Sequence, residues 1–315
     1  MLSRILSASA AGVATGIGDD AAVLDVAGAA AERGHLVWTI DEQVEGTHFR
    51  RDLGSWRDMG WRSFMAAASD VAAMGAVPWC ALSALVLPDD VDDAALEELA
   101  HGQRAAAEAT GAPIVGGNLA RGPAMSIATT LLGTSERPIR RAGARPGDGL
   151  WMAGRVGLAA AGLRALEAKA KDSDALRRAV DAWRMPRALV EAGRAMGRVA
   201  HAAIDVSDGL ARDASHVADA SGVRIVLDAS ALLADVALAS VAAALEADAL
   251  DLALYGGEDY AIVAASPVAI EGFRRIGDVT EGCGIALRGS NGETPIEPRG
   301  FDHFTSGRLT AASRS

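Results

Sequence analysis

Six aspartates raise the chemical question. Asp19 and Asp20 stand side by side in Gly16-Ile-Gly-Asp-Asp-Ala-Ala-Val23, between a glycine pair and a short apolar run. Asp41 closes the strand-like residues 36–41, and Asp70 follows Ser69 inside an alanine-rich helical run. Asp205 and Asp208 share the short motif Asp205-Val-Ser-Asp-Gly209. Each lies at a predicted element end or in a polar or glycine-flanked setting, where a lone aspartate is ordinarily a cap or a solvated charge. Adjacent carboxylates, however, repel unless something positive lies beside them. Oxygen ligands on turns suit magnesium, which in turn neutralises nucleotide phosphates. The recurring pattern therefore reads as a metal-binding set.

Composition removes several alternatives. The net charge of −11 argues against a nucleic-acid surface, where a basic patch is expected. The chain has two lysines, Lys169 and Lys171, both in the polar segment 167–174. A P-loop, a protein-kinase strand lysine and a pyridoxal Schiff base each need a lysine in a defined setting, and none is present. ATP, if bound, is bound without lysine. Gly16-Ile-Gly-Asp-Asp-Ala21 satisfies the dinucleotide pattern, but no strand precedes it and two carboxylates would face the pyrophosphate. His48 has no Gly-x-Ser-x-Gly elbow to pair with, so a hydrolase triad is not supported. Cys80 and Cys283 read as two small buried hydrophobes. No apolar run approaches the roughly 18 residues of a membrane span, and the first 15 residues are too weakly apolar for a signal peptide. A cytoplasmic protein is expected.

The elements that must position the aspartates alternate between strand and helix. Residues 36–41 read as a strand followed by a loop over 42–49. Ser55 is a plausible N-cap for a helix through Trp61, Phe64, Val71 and Met74, ended by Gly75 and Pro78. A strand over 81–87, a helix capped at Asp92 and Asp93, a strand over 112–118 running into a glycine turn, and a strand over 124–133 complete the first half. Residues 140–149 interrupt both periodicities with Pro and Gly and read as a linker. This predicts domains at 1–145 and 146–315. The second half predicts strands at 150–153, 202–206 and 224–228, helices at 158–170, near Pro186, at 210–220 and at 236–247, a loop over 255–260, and three closing strands. The fold class is α/β, with two domains.

Several motifs together carry a family resemblance: Gly16-Ile-Gly-Asp-Asp-Ala-Ala-Val23, Val44-Glu-Gly-Thr-His-Phe49 and Ser69-Asp-Val-Ala-Ala-Met-Gly-Ala76, with Gly116-Gly-Asn-Leu-Ala-Arg-Gly-Pro123. Ile204-Asp-Val-Ser-Asp-Gly-Leu210, Gly256-Gly-Glu-Asp-Tyr260 and Gly300-Phe-Asp-His-Phe304 complete the set. In this order, over residues 16 to 304, the chain resembles thiamine-monophosphate kinases of the aminoimidazole ribonucleotide synthetase superfamily. The resemblance implies a two-domain fold with mixed sheets covered by helices and no P-loop, in which the first domain also dimerises. It implies transfer of the ATP γ-phosphoryl group to thiamine monophosphate, assisted by several Mg²⁺ ions and without a covalent intermediate. Asp20, Thr39, Asp41, Asp70, Asp205 and Asp208 then match metal positions. Gly117, Arg141 and Ser207 match nucleotide contacts, and His48, Glu258 and Phe301 match positions that hold the thiamine phosphate. A homodimer is implied as well.

Three departures accompany the likeness. Asn118 stands where the family carries a ligating aspartate, and is expected to serve both metal and nucleotide through its amide oxygen. Ile40 replaces a hydroxyl residue between Thr39 and Asp41. Ala261 follows Tyr260 where another Glu is usual. A divergent kinase of another small phosphate ester, or a nucleotide-binding protein without catalysis, would share the metal half of the site.

Overall fold

The computed structural model describes the backbone of residues 13–15 and 22–25 and the whole of residues 34–301. Two mixed sheets carry the chain. The first comprises β1 (Val13–Thr15), β2 (Ala22–Asp25), β3 (His35–Val44), β4 (Val77–Leu87), β5 (Ile114–Arg121) and β6 (Ser126–Ser135). Their spatial order is β1-β2-β3-β6-β4-β5, with β4 and β5 parallel and the other neighbours antiparallel. Helices α1 (Trp56–Ala73) and α2 (Asp93–Thr110) cover one face.

Local chemistry sets these helices. The Ser55 side chain accepts from the Asp58 amide at 3.1 Å, and Asp58 returns the bond to the Ser55 amide at 2.8 Å. This reciprocal cap contributes about 1 kcal/mol. Asp92 caps α2 through the Ala95 amide, and Gly111 ends it in a left-handed conformation. The two helices touch backbone to backbone: a Cβ on Gly60 would lie 2.0 Å from the Leu99 carbonyl oxygen. Phe64, Met65 and Val71 of α1 are buried against the sheet with Val37 and Leu131. Each such side chain contributes about 1.5–3 kcal/mol.

The second sheet runs β13-β12-β9-β11-β7-β10-β8, built from β7 (Gly149–Ala153), β8 (Ala202–Val206), β9 (Arg224–Asp228), β10 (Ala261–Ser266), β11 (Arg274–Thr280), β12 (Gly284–Gly289) and β13 (Gly292–Pro295). Its helices are α3 (Leu158–Glu167), α4 (Asp174–Arg184), α5 (Val190–Met196), α6 (Leu210–Ser221), α7 (Ala229–Leu233), α8 (Val236–Ala244) and α9 (Ala249–Tyr255). Leu150, Met152, Ile204, Leu210, Ile225 and Leu252 belong to its core.

The alternation expected from the sequence is present, with differences that have physical causes. Strand β3 continues to Val44 because its antiparallel pairing with β6 persists to the Val44–Ser126 pair. Strand β4 begins at Val77, four residues early, with Pro78 tolerated where the ladder to β6 is irregular. The predicted glycine turn at 116–117 is instead the middle of β5, since both glycines keep register with Leu82 and Ser83. Helices α4, α7 and α9 were not expected, the helix foreseen near Pro186 begins at Val190, and Cys283, expected to be buried, is exposed.

Helix α1 joins the two sheets. Ser69 donates to Asp205 at 2.6 Å across 136 residues of sequence, and the Trp61 indole donates to the Pro186 carbonyl at 2.6 Å. Among the described residues no helix is long and apolar enough to cross a membrane.

Candidate active site at the junction of the two sheets

The strand end of β3, the loop after it, α3, Trp183 of α4, the β8–α6 turn and the loop 256–260 converge on a cavity of about 410 Å³. Asp41, His48, Ser207, Asp208, Glu258 and Phe301 all line it. Residues matched above to metal, nucleotide and acceptor therefore share one space.

The carboxylates are held in pairs with hydroxyls. Thr39 donates to Asp70 at 2.6 Å, and Ser69 donates to Asp205. Gln43 donates to Asp41 at 3.3 Å. Burial raises the pKa of Asp41 to about 6, with Glu258 and Asp208 adding to the rise and Gln43 and Arg62 opposing it. Asp205 is raised by burial too; Ser69 and Arg141 oppose this, while Asp41 and Asp208 reinforce it. Such crowding is the signature of a site short of positive charge. Among the described residues no three His, Cys, Asp or Glu side chains converge on one point. Magnesium asks for less, since it is held by one or two carboxylates together with substrate phosphates. The donor set, hard carboxylate and hydroxyl oxygens, fits that ion. Asp19 and Asp20 lie outside the described residues.

The β8–α6 turn owes its shape to Asp213, which the sequence reading passed over. One oxygen of its buried carboxylate accepts from the amides of Ser207, Asp208 and Gly209 at 3.0, 3.0 and 3.1 Å. Phe301 docks on the same turn, its amide donating to the Asp208 carbonyl at 2.9 Å and its carbonyl accepting from Arg212. On the opposite wall the Val44 amide donates to His48 Nδ1 at 3.0 Å, so a neutral ring carries its proton on Nε2. Arg141 is half-buried and close enough to Asp205 to oppose the rise in its pKa.

Gly117 and Asn118 stand apart. Asp41, Thr129, Ser83 and Gly117 are successive cross-strand partners, which puts Gly117 three strands, or about 14 Å, from Asp41. A Cβ on Gly117 would sit 1.8 Å from the Ser83 carbonyl oxygen, so only glycine fits that closely paired edge. Asn118 pairs with Ala84 and faces the other side of the sheet, exposed.

Two further residues escaped the sequence reading. Arg62 is 1% exposed and its guanidinium meets Glu258 at 2.7 Å; Trp183, 3% exposed, donates to the other Glu258 oxygen at 2.8 Å. The signal was present, because Arg62 lies seven residues, about two turns, before Ser69 and so shares its helical face.

The chain's two halves match two family models. Residues 18–135 match the N-terminal domain of AIR synthase related proteins, and residues 145–288 match their C-terminal domain. Two such domains enclosing a carboxylate-lined cleft define the AIR synthase related class. The chain is 31% identical to a thiamine-monophosphate kinase of Aquifex aeolicus over 293 residues, covering 91% of this chain and 92% of the relative. It is 38% identical to that of Mycobacterium tuberculosis over 275 residues, covering 86% and 80%. A solved structure described as AaThiL complexed with AMPPCP and TMP superposes with a TM-score of 0.87 at 30% identity, covering 96% of this chain and 94% of that one. The hydrogenase maturation protein HypE in complex with ATP shares the fold at 18% identity and a TM-score of 0.70. The chain belongs to the thiamine-monophosphate kinase family.

Proposed function

We propose that this protein transfers the γ-phosphoryl group of ATP to thiamine monophosphate, giving thiamine diphosphate and ADP. The observation that carries this reading is the shared cavity, which Asp41, His48, Ser207, Asp208, Glu258 and Phe301 all line. The bond from the γ-phosphorus to the ADP oxygen breaks as one forms to a phosphate oxygen of the acceptor. That oxygen is already anionic, so no base is needed and no side chain forms a covalent intermediate. Catalysis is positioning and charge neutralisation.

Asp41, Asp70, Asp205 and Asp208, with Thr39 and Asp20, would hold Mg²⁺, which when bound offsets the phosphate charges. Arg141 supplies a fixed cation beside Asp205. Ser207 is the nucleotide contact within the cavity, whereas Gly117 and Asn118, three strands away on the first sheet, are not assigned to it. His48 and Phe301 would meet the phosphate and the heteroaromatic ring of the acceptor, with Glu258 opposite the cationic ring. Residues 1–145 form the domain that carries Thr39, Asp41, Asp70 and Arg141, and residues 146–315 the domain that brings Asp205, Ser207 and Asp208 to them; the protein acts in the cytoplasm.

Purified protein supplied with ATP, magnesium and thiamine monophosphate is expected to form thiamine diphosphate, resolved chromatographically. ATP binding without product would overturn this reading in favour of a nucleotide-binding protein.

The protein is further proposed to be a homodimer through the uncovered face of the first sheet. Trp38, Ile40 and Leu82 project from that face, 49%, 68% and 43% exposed, with no helix over them among the described residues. A second copy presents the same self-complementary apolar face. Light scattering is expected to give a dimer for the native chain and a monomer for Leu82→Asp; a native monomer would refute the assignment.

A further inference from the structure

Glu258 sits in a backbone conformation that a glutamate seldom adopts. Its φ is +62° and that of Tyr260 is +49°, both left-handed. Each costs about 1–2 kcal/mol and persists only where surrounding contacts over-determine it. The backbone contacts are two: the Glu258 amide donates to the Ser207 carbonyl at 2.8 Å, and the Tyr260 amide to that of Val206 at 2.9 Å. Asp259 between them accepts from the amides of Gly157 and Ala159, pinning the loop to the start of α3.

The Glu258 side chain has its own fixture. Arg62 reaches one oxygen and Trp183 the other, so both carboxylate oxygens are engaged. The Arg62 guanidinium also donates to the Trp183 carbonyl at 2.5 Å and to the His48 carbonyl at 3.3 Å, and it stacks 4.5 Å from the centre of the Trp183 ring. One buried cation thus touches three segments that line the cavity: the His48 loop, the end of α4 and the loop of Glu258. A buried arginine is costly to desolvate, and this one returns the cost in bonds to the cavity's own walls.

We propose that Arg62 and Trp183 are positioning residues, which hold the Glu258 carboxylate and the His48 loop in the geometry that receives a cationic heteroaromatic phosphate ester. Neither side chain is needed for phosphoryl transfer itself. Trp183 acts through its N–H on Glu258, and Arg62 acts through Glu258 and the His48 carbonyl. The choice of acceptor rests on the proposed kinase activity, whereas the fixture does not.

The test uses Trp183→Phe, which keeps an aromatic ring and deletes the N–H, in the full-length protein. Hydrogen exchange at the amides of Glu258 and Tyr260 is expected to quicken about tenfold, with thermal unfolding little changed. In the kinase assay the KM for thiamine monophosphate is expected to rise about tenfold while kcat and the KM for ATP stay within about twofold. The double variant Trp183→Phe with Glu258→Gln is expected to be no worse than Glu258→Gln alone. Arg62→Lys should retain more acceptor affinity than Arg62→Met. Unchanged loop exchange in Trp183→Phe overturns the proposal, as do equal losses in kcat and in both KM values, or additive effects in the double variant. A loosened loop in a protein whose native form makes no thiamine diphosphate leaves the fixture standing and removes the substrate assignment.

Discussion

Asp41→Asn is expected to lose magnesium-dependent activity by on the order of 100-fold, and to gain thermal stability when magnesium is withheld. The two effects have one cause. Asp41 lies half-buried beside Glu258 and Asp208, and its pKa is raised to about 6. At pH 7.5 the folded protein must hold that carboxylate ionised among like charges, and an amide of the same shape relieves the repulsion. The same substitution removes a charged ligand from the proposed metal site. A charge-assisted contact of about 3 kcal/mol corresponds to roughly two powers of ten in rate. Steady-state assays and thermal melts in chelator at pH 7.5 check both halves. Retained activity would sink the metal assignment, and a destabilised variant would show that the carboxylate pays its way structurally.

The second large effect is on pH. Asp41 and Asp259 have folded-state pKa values of about 6 and about 7 against an ordinary 3.8. Burial is the main cause for both, and Glu258 reinforces each. A raised carboxylate favours the folded state fully below its unfolded pKa, and that advantage is lost as pH rises through the folded value. Metal-free protein is therefore expected to lose stability between about pH 4 and pH 7, by roughly 2–4 kcal/mol per group. Magnesium should restore the Asp41 share and leave the Asp259 share. Melts at pH 5 and pH 8, with and without magnesium, separate these contributions: the magnesium-induced rise should be small at pH 5 and large at pH 8. Asp259→Asn should flatten the metal-independent part, since its amide oxygen can still accept from Gly157 and Ala159. A magnesium shift equal at both pH values would contradict this account.

Much of this was legible in the chain because it rests on short-range signals. Ser55 with Asp58, Asp92, and Gly111 are helix ends readable from residue type and spacing, and the structure uses all of them as caps. The strand ending at Val206 and the aspartates after it were equally visible. Long-range partners were not. Nothing local distinguishes Asp213 from any other helix-surface aspartate until the turn folds back onto it. The partner of Arg62, the Trp183 carbonyl, lies 121 residues later and meets it only when the chain folds. Helix α4 was missed because its charged face, with Arg177, Arg178 and Asp181, outweighs a buried stripe of only Leu176, Ala179 and Trp183. The glycine pair at 116–117 misled for the opposite reason, since close packing on Ser83 requires glycine as strictly as a turn does.

The three amides gathered by Asp213 bear on which form of the nucleotide this protein accepts. Consecutive free amides in a turn would form a cup for a bare phosphate, but here an internal carboxylate already fills that cup. Asp41 is moreover crowded by Glu258 and Asp208, and Asp205 by Asp41 and Asp208, in a chain of net charge −11. Uncomplexed ATP therefore meets repulsion, while its magnesium chelate brings the missing charge with it. The supply of free magnesium, as much as that of ATP, would then set how fast this protein turns over.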